Sequence, residues 1–126
     1  MKICVPSSGE DINSNIDDRF GRCSYFVIVD SENMDTTAFR NPASSATGGA
    51  GIQAAQEIIN HDVNVLLVNN IGPNAHQVIS AAGVELFEMH GNTVAEAVKK
   101  YLSEGAEGLE KLSRPNSSSH TGMRQE

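Results

Sequence analysis

The segment from residue 45 to residue 51 combines hydroxyl side chains with glycines, directly before an amphipathic helical run. A glycine-rich turn leaves backbone N–H groups without partners at a helix N-terminus, where the helix dipole favours anions. We call this segment the glycine loop and predict that it cradles an anion; a tight turn for close helix–sheet packing is the structural alternative. Its candidate binding residues are Ser45, Thr47, Gly48, Gly49, Ala50 and Gly51.

The glycine loop also opens a formal G-x-G-x-x-A match, from Gly49 to Ala54. A dinucleotide fingerprint follows the first strand of a βαβ unit, with an acidic residue about 20 positions later for the ribose. Here the match follows a predicted hairpin, and Asn69 and Asn70 occupy those later positions. The sequence contains no Gly-Lys-Ser/Thr either. These mismatches argue against a nicotinamide nucleotide and against a Walker-type P-loop.

A second segment, residues 17–23, places two arginines around an aromatic–glycine turn. We call it the arginine loop. Guanidinium groups bind multivalent anions through paired hydrogen bonds, and no Lys or Arg lies between Arg40 and Lys99. The alternative is that Asp17 and Asp18 pair with the arginines at the surface. The candidate binding residues of this loop are Arg19, Phe20, Gly21 and Arg22.

The two cysteines differ in their expected roles. Cys23 follows Arg22, which predicts a lowered thiol pKa and a thiolate able to ligate a metal; a small buried strand residue is the alternative. Cys4 lies in an apolar strand, so we expect it to be structural. The pair lacks the spacing of a C-x-x-C motif, and we expect both thiols to be reduced.

A second glycine turn, residues 71–76, lies between an apolar strand and a predicted helix. Ligands of α/β sheets collect beyond the carboxyl ends of strands, so Gly72 and Asn74 are candidate binding residues. His76 falls in the first turn of that helix. It is a candidate metal ligand, although an exposed histidine without a role is the favoured interpretation.

The hydrophobic pattern predicts the order β-β-β-α-β-α-β-α. Strands are expected at residues 3–5, 25–29, 34–39, 63–68 and 84–87. Helices are expected at about 51–61, from Pro73 to about 82, and after a Thr93–Glu96 capping box. The short connection between the second and third strands predicts an antiparallel hairpin, and the later βαβ unit predicts parallel pairing. The fold class is therefore α/β, with a five-stranded mixed sheet and three helices.

The composition limits the class of protein. The 126 residues predict one domain over residues 1–112 and a disordered tail over 113–126, and the net charge of −7 argues against nucleic-acid binding. No apolar run reaches the roughly 18 residues of a membrane span, and the N-terminus does not read as a signal peptide. We therefore expect a cytoplasmic protein. No nucleophile–base motif indicates an enzyme.

The ordered set of short segments resembles the dinitrogenase iron-molybdenum cofactor biosynthesis family, which includes nitrogenase cofactor carriers and molybdenum–copper orange proteins. The similarity covers about residues 1–112. The matching segments are Met1-Lys2-Ile3, Arg19-Phe20-Gly21-Arg22, Tyr25-Phe26-Val27-Ile28-Val29-Asp30, Asn41-Pro42, Gly48-Gly49-Ala50-Gly51, Gly72-Pro73-Asn74-Ala75, Ala82-Gly83 and Thr93-Val94.

The resemblance implies a ribonuclease H-like three-layer fold and reversible binding of an anionic metal–sulfur cluster of iron–sulfur, iron–molybdenum or molybdenum–copper type, or of its precursor. It also implies cofactor-assembly or cluster-handling proteins as partners, and we expect a monomer or weak dimer. Two alternatives remain open: a regulatory or scaffolding partner of cofactor-handling enzymes without a prosthetic group, and an enzyme acting on a phosphorylated ligand. The chain departs from the family pattern at Cys23, where many relatives carry Ala, and it has no His-rich tail, only His120.

Overall fold

A computed structural model describes residues 1–43 and 49–108, with side chains up to residue 104. Five strands and three helices follow one another in these residues in the order that the hydrophobic pattern predicts. They are β1 (Lys2–Ser7), β2 (Tyr25–Asp30), β3 (Thr36–Arg40), α1 (Ala50–Asn60), β4 (Val65–Val68), α2 (Pro73–Ala81), β5 (Glu85–Glu88) and α3 (Val94–Gly108).

The strands form one mixed sheet in the order β3-β2-β1-β4-β5. β1 pairs antiparallel with β2, and β2 pairs antiparallel with β3, which confirms the predicted hairpin. β4 pairs parallel with both β1 and β5. This order, with an antiparallel β2 beside a central β1, is the predicted ribonuclease H-like arrangement.

Two hydrophobic cores cover the two faces of the sheet. On one face, Ala54 and Ile58 of α1 and Ile79 of α2 pack against Leu66 of β4. On the other face, Val94, Ala97 and Val98 of α3 pack against alternate strand residues. All four residues of β4 are buried because both faces of this strand are covered. The fold therefore has three layers: two helices, the sheet and one helix.

Local sequence signals fix the helix ends. Thr93 Oγ1 accepts a hydrogen bond from the Glu96 amide at 3.2 Å, and the Glu96 carboxylate accepts one from the Asn92 amide at 2.7 Å. This is the predicted capping box, with the carboxylate reaching one residue further upstream. Gly83 follows α2 with φ of 86°, which confirms it as the C-terminal stop.

The third strand begins later than predicted. Met34 has φ of 62°, and its amide donates to the Asp30 carbonyl at 2.7 Å. It therefore belongs to the turn, and β3 starts at Thr36. The predicted tail and residues 109–112 lie outside the described residues, so the domain boundary stays a prediction. No helix in the described part of the chain is long and apolar enough to cross a membrane.

Candidate functional site

The sheet brings the three predicted segments to a single edge. Ser7 at the end of β1 is paired with Tyr25 at the start of β2, which is paired with Arg40 at the end of β3. β4 runs parallel to β1, so Val68 ends at the same edge. The arginine loop, the chain leading to the glycine loop and the second glycine turn all begin or end here.

A cleft of about 790 Å³ opens at this edge. Its walls come from residues 18–22 of the arginine loop, residues 49–52 at the start of α1, and residues 70–75 at the start of α2. The described residues of the three segments that sequence analysis selected separately thus form one concave surface. Its volume is in the range that proteins use for small ligands.

The walls of the cleft pack backbone against backbone. A Cβ atom built on Gly21 would lie 3.2 Å from the Gly51 nitrogen, and one built on Gly51 would lie 3.4 Å from the Ala75 Cβ. Glycine at residue 21 therefore allows the arginine loop to approach α1 closely, whereas Gly51 leaves only ordinary contact distance to α2. The packing alternative and the anion interpretation of the glycine loop are compatible, because packing holds the amides in place.

Both helices that border the cleft begin at a glycine. Gly49 caps α1 in the left-handed region, with φ of 69°, and Gly72 caps α2 in an extended conformation ahead of Pro73. Neither cap residue has a side chain that could accept a hydrogen bond from the first-turn amides. Two positive helix ends thus face one cleft, which is the arrangement that favours an anion.

Arg19 lies in this cleft as one half of an ion pair. Its Nη2 is 2.9 Å from Asp17 Oδ2, and its Nε donates to Asp17 Oδ1 at 3.1 Å. The Arg19 hydrogen bonds hold the pKa of the Asp17 carboxyl below its usual value. The Arg19 side chain remains 69% exposed. The predicted pairing with Asp17 is thus present at the wall of the cleft.

Within the described residues, Asp18 pairs with Asn69 and not with an arginine. Its Oδ1 accepts a hydrogen bond from Asn69 Nδ2 at 3.0 Å, and Asn69 Oδ1 accepts one from the Met89 amide at 3.2 Å. This relay ties the arginine loop to the carboxyl ends of β4 and β5. Asp18 thus adds a carboxylate to the cleft lining. The sequence had predicted for Asp18 only a surface pair with an arginine.

Cys23 is buried, and the prediction of a lowered pKa for its thiol is wrong. Burial raises the pKa of the Cys23 thiol to about 12, and the nearby Asp17 carboxylate adds to the shift. Its Sγ donates to the Phe20 carbonyl at 3.4 Å. The Cys23 side chain is not part of the cleft lining. Cys4 is buried, as predicted, and burial raises the pKa of its thiol also.

His76 is buried and not exposed, contrary to the favoured prediction. Only 8% of it is accessible, because it shares the inward face of α2 with Ala75 and Ile79. Its Nδ1 lies 3.5 Å from Ser80 Oγ. His76 is also absent from the cleft lining, although its neighbours in the second glycine turn contribute to it.

The predicted site residues divide into three groups. Nine line the cleft: Arg19, Phe20, Gly21, Arg22, Gly49, Ala50, Gly51, Gly72 and Asn74. Ser45, Thr47 and Gly48 lie outside the described residues, and Cys23 and His76 do not reach the cleft. Sequence analysis did not select two further lining residues, Asp18 within the arginine loop and Asn70 directly before the second glycine turn. It also did not select the buried Asn41, whose signal was the Asn-Pro pair after a strand.

The architecture and the cleft define a small three-layer α/β protein whose arginine and glycine turns meet at one sheet edge. Residues 1–104 match the family described as dinitrogenase iron-molybdenum cofactor. The chain therefore belongs to this family, which confirms the resemblance found in the sequence.

Individual relatives agree with this assignment. An uncharacterised protein of Methanocaldococcus jannaschii is 32% identical over 113 residues, covering 87% of this chain and 92% of the relative. The apo form of the orange protein from Desulfovibrio gigas is 34% identical, with a TM-score of 0.85 and coverage of 92% and 96%. A putative NifB protein from Thermotoga is 34% identical, with a TM-score of 0.77 and coverage of 93% and 97%.

Proposed function

We propose that this protein is a small carrier that reversibly binds an anionic metal–sulfur cluster, or its precursor, in the cleft. The observation that carries the proposal is the convergence of two glycine-capped helix N-termini with Arg19 and Arg22 in one concave surface. Backbone amides and guanidinium groups together suit a compact ligand with several negative charges. Membership of the family supports a metal–sulfur cargo over a phosphate.

The charge distribution supports an anionic ligand at this place. The whole chain carries a net charge of −7, so its surface as a whole does not attract anions. The arginine loop supplies two of the four basic residues in the first half of the sequence. Together with the two helix ends, it offsets Asp17 and Asp18 and gives the cleft donors for an anion.

The donor set also supports release of the cargo. Among the described residues that line the cleft there is no cysteine, and Cys23 is held as a buried thiol. A cargo held by hydrogen bonds and charge, without a thiolate–metal bond, can leave without ligand exchange at the protein. Arg19 keeps a competing partner in Asp17, which limits its gain on binding.

Reversible binding implies that the protein receives the cluster from one protein and passes it to another. We propose that cofactor-assembly or cluster-handling proteins deliver and receive the cargo in the cytoplasm, and that the protein binds the cluster without chemically transforming it. The molybdenum, iron and copper types of cluster remain alternatives for the cargo, since the cleft constrains its charge and size more than its metal.

Anaerobic reconstitution tests this proposal. The full chain is incubated with iron, sulfide and molybdate, and separately with copper, sulfide and molybdate, then desalted and assayed for metal, sulfide and visible absorption. Stoichiometric metal with acid-labile sulfide is expected in at least one regime. A colourless, metal-free protein in every regime contradicts the proposal. A stable protein partner recovered from native extract by such a metal-free chain supports the scaffolding alternative.

A further inference from the structure

Asn41 is a buried polar residue outside the cleft that contacts Gly21, a residue of the cleft wall. It follows β3 directly and is 1% exposed. Its Nδ2 donates to the Gly21 carbonyl at 3.2 Å and to the Cys23 carbonyl at 3.0 Å. Its Oδ1 accepts from the Ala43 amide at 3.0 Å. One side chain thus joins the arginine loop to the start of the chain that leads to α1.

The polarity of these contacts is specific for an amide. Nδ2 faces two carbonyl oxygens and, at 3.8 Å, the Sγ of Cys23, while Oδ1 faces an N–H group. The Asn41 backbone amide also donates to the Ser24 carbonyl at 2.9 Å. A buried amide with its donors and acceptor satisfied holds its neighbours in one geometry. A carboxylate at this position would place an acceptor against two acceptors.

We infer that Asn41 is a positioning residue of the cleft, whose amide fixes the turn that carries Arg19 and Arg22 against the N-terminus of α1. The inference rests on the proposed function for its ligand, and on the packing of Gly21 against Gly51 for its geometry. The Gly21 carbonyl that Asn41 holds belongs to the residue that contacts α1. Loss of the amide therefore moves the arginines relative to the α1 amides.

The test uses Asn41→Asp and Asn41→Ser in the full chain. Aspartate replaces the Nδ2 donor by an acceptor oxygen. Serine is uncharged and too short to reach both carbonyl oxygens. The matched control is Asn64→Asp, because Asn64 accepts the Lys2 amide through Oδ1 at 2.7 Å and a carboxylate preserves that bond. If the buried carboxylate prevents Asn41→Asp from folding, the measurements are made on Asn41→Ser alone.

The first measurement is the amide NMR spectrum of the ligand-free protein. The Asn41 variants should shift the amide signals of Gly21, Arg22 and Gly51 and leave those of α3 in place, while Asn64→Asp leaves the cleft signals unchanged. Unchanged cleft signals in both Asn41 variants overturn the inference. This result does not depend on a ligand, so it separates failure of the inference from failure of the proposed function.

The second measurement is the affinity for tetrathiomolybdate, followed by its visible absorption. Asn41→Ser should weaken binding by about tenfold, and by less than threefold when Arg22 is already Gln. This non-additivity is expected when Asn41 acts through the arginine loop. An equal loss in both backgrounds means that Asn41 affects binding independently of Arg22 and contradicts the positioning role.

Discussion

Gly21 and Gly51 pack so closely that a Cβ atom on Gly21 would lie 3.2 Å from the Gly51 nitrogen and 3.3 Å from its Cα. This contact joins the arginine loop to the first turn of α1, although the two residues are 30 positions apart in the sequence. The arginines and the helix amides are therefore placed relative to one another by the backbone.

Replacing Gly21 by Ala should destabilise the protein. The added Cβ meets backbone atoms of α1, which cannot rotate away as a side chain would. Overpacking of this kind costs about 1–3 kcal/mol, measurable as a lowered urea midpoint with an unchanged m-value. Gly72→Ala is the matched control, since its Cβ meets no atom within 4 Å. Equal midpoints for the two variants would show that the arginine loop moves freely from α1.

We expect Gly72 to be required for ligand binding and not for the stability of the fold. Its φ of −78° and ψ of 170° suit any residue before a proline, and a Cβ there points into open space. We expect Gly72→Ala and Gly72→Val to change the unfolding free energy by less than about 1 kcal/mol, since the entropic gain and the poorer cap oppose each other.

The same two substitutions should weaken tetrathiomolybdate binding in order of side-chain volume. The control is Ala82→Val, which adds carbon at the exposed far end of α2. Titration by visible absorption measures the effect. Wild-type affinity in Gly72→Val would mean that the cargo does not approach the backbone at the start of α2.

The Asp17–Arg19 pair should contribute stability that disappears in acid. Because folding lowers the Asp17 pKa, the pair stabilises the native state fully above the unfolded-chain pKa of about 3.9 and loses this effect as the pH falls through the folded value. Asp17→Asn should cost up to about 1 kcal/mol at pH 7. The difference from wild type should shrink below about pH 4. Urea unfolding between pH 3 and pH 7 tests this, and a difference that stays constant over that range contradicts it.

The two thiols should be unreactive in the native protein. Both cysteines are buried, and burial raises the pKa of each. At pH 8 a disulfide reagent such as Ellman's should label neither thiol quickly, whereas it should label two per chain in urea. Ser103→Cys, an exposed position on α3, provides a fast-reacting control. Rapid native labelling of Cys23 would restore it as a candidate metal ligand.

Elements with strong local signals were predictable from sequence. The apolar run of β4, the capping box at Thr93 and the stop at Gly83 each depend on neighbouring residues, and each is confirmed. The arginine loop, the glycine loop and the second glycine turn were also selected from sequence, and described residues of all three line one cleft. Glycine and arginine patterns report backbone shape and charge, which are local properties.

Properties that depend on tertiary packing were not predictable in the same way. The raised Cys23 pKa follows from burial of the thiol, to which the Asp17 carboxylate adds. The burial of His76 follows from the packing of α2 onto α1. The role of Asn41 depends on carbonyls 18 and 20 residues away. Each of these three properties depends on residues that are distant in the sequence and adjacent in the fold.

The most direct test of the central claim is metal–sulfur retention by an arginine-loop variant. Arg19→Gln/Arg22→Gln is reconstituted anaerobically beside wild type and beside Arg40→Gln, whose guanidinium lies over Tyr25 on β2 and outside the cleft. Wild type and Arg40→Gln should retain metal and sulfide after desalting, and the double variant should lose at least about nine-tenths of both, because the cleft loses both guanidinium groups. Equal retention by the double variant would contradict binding in the cleft.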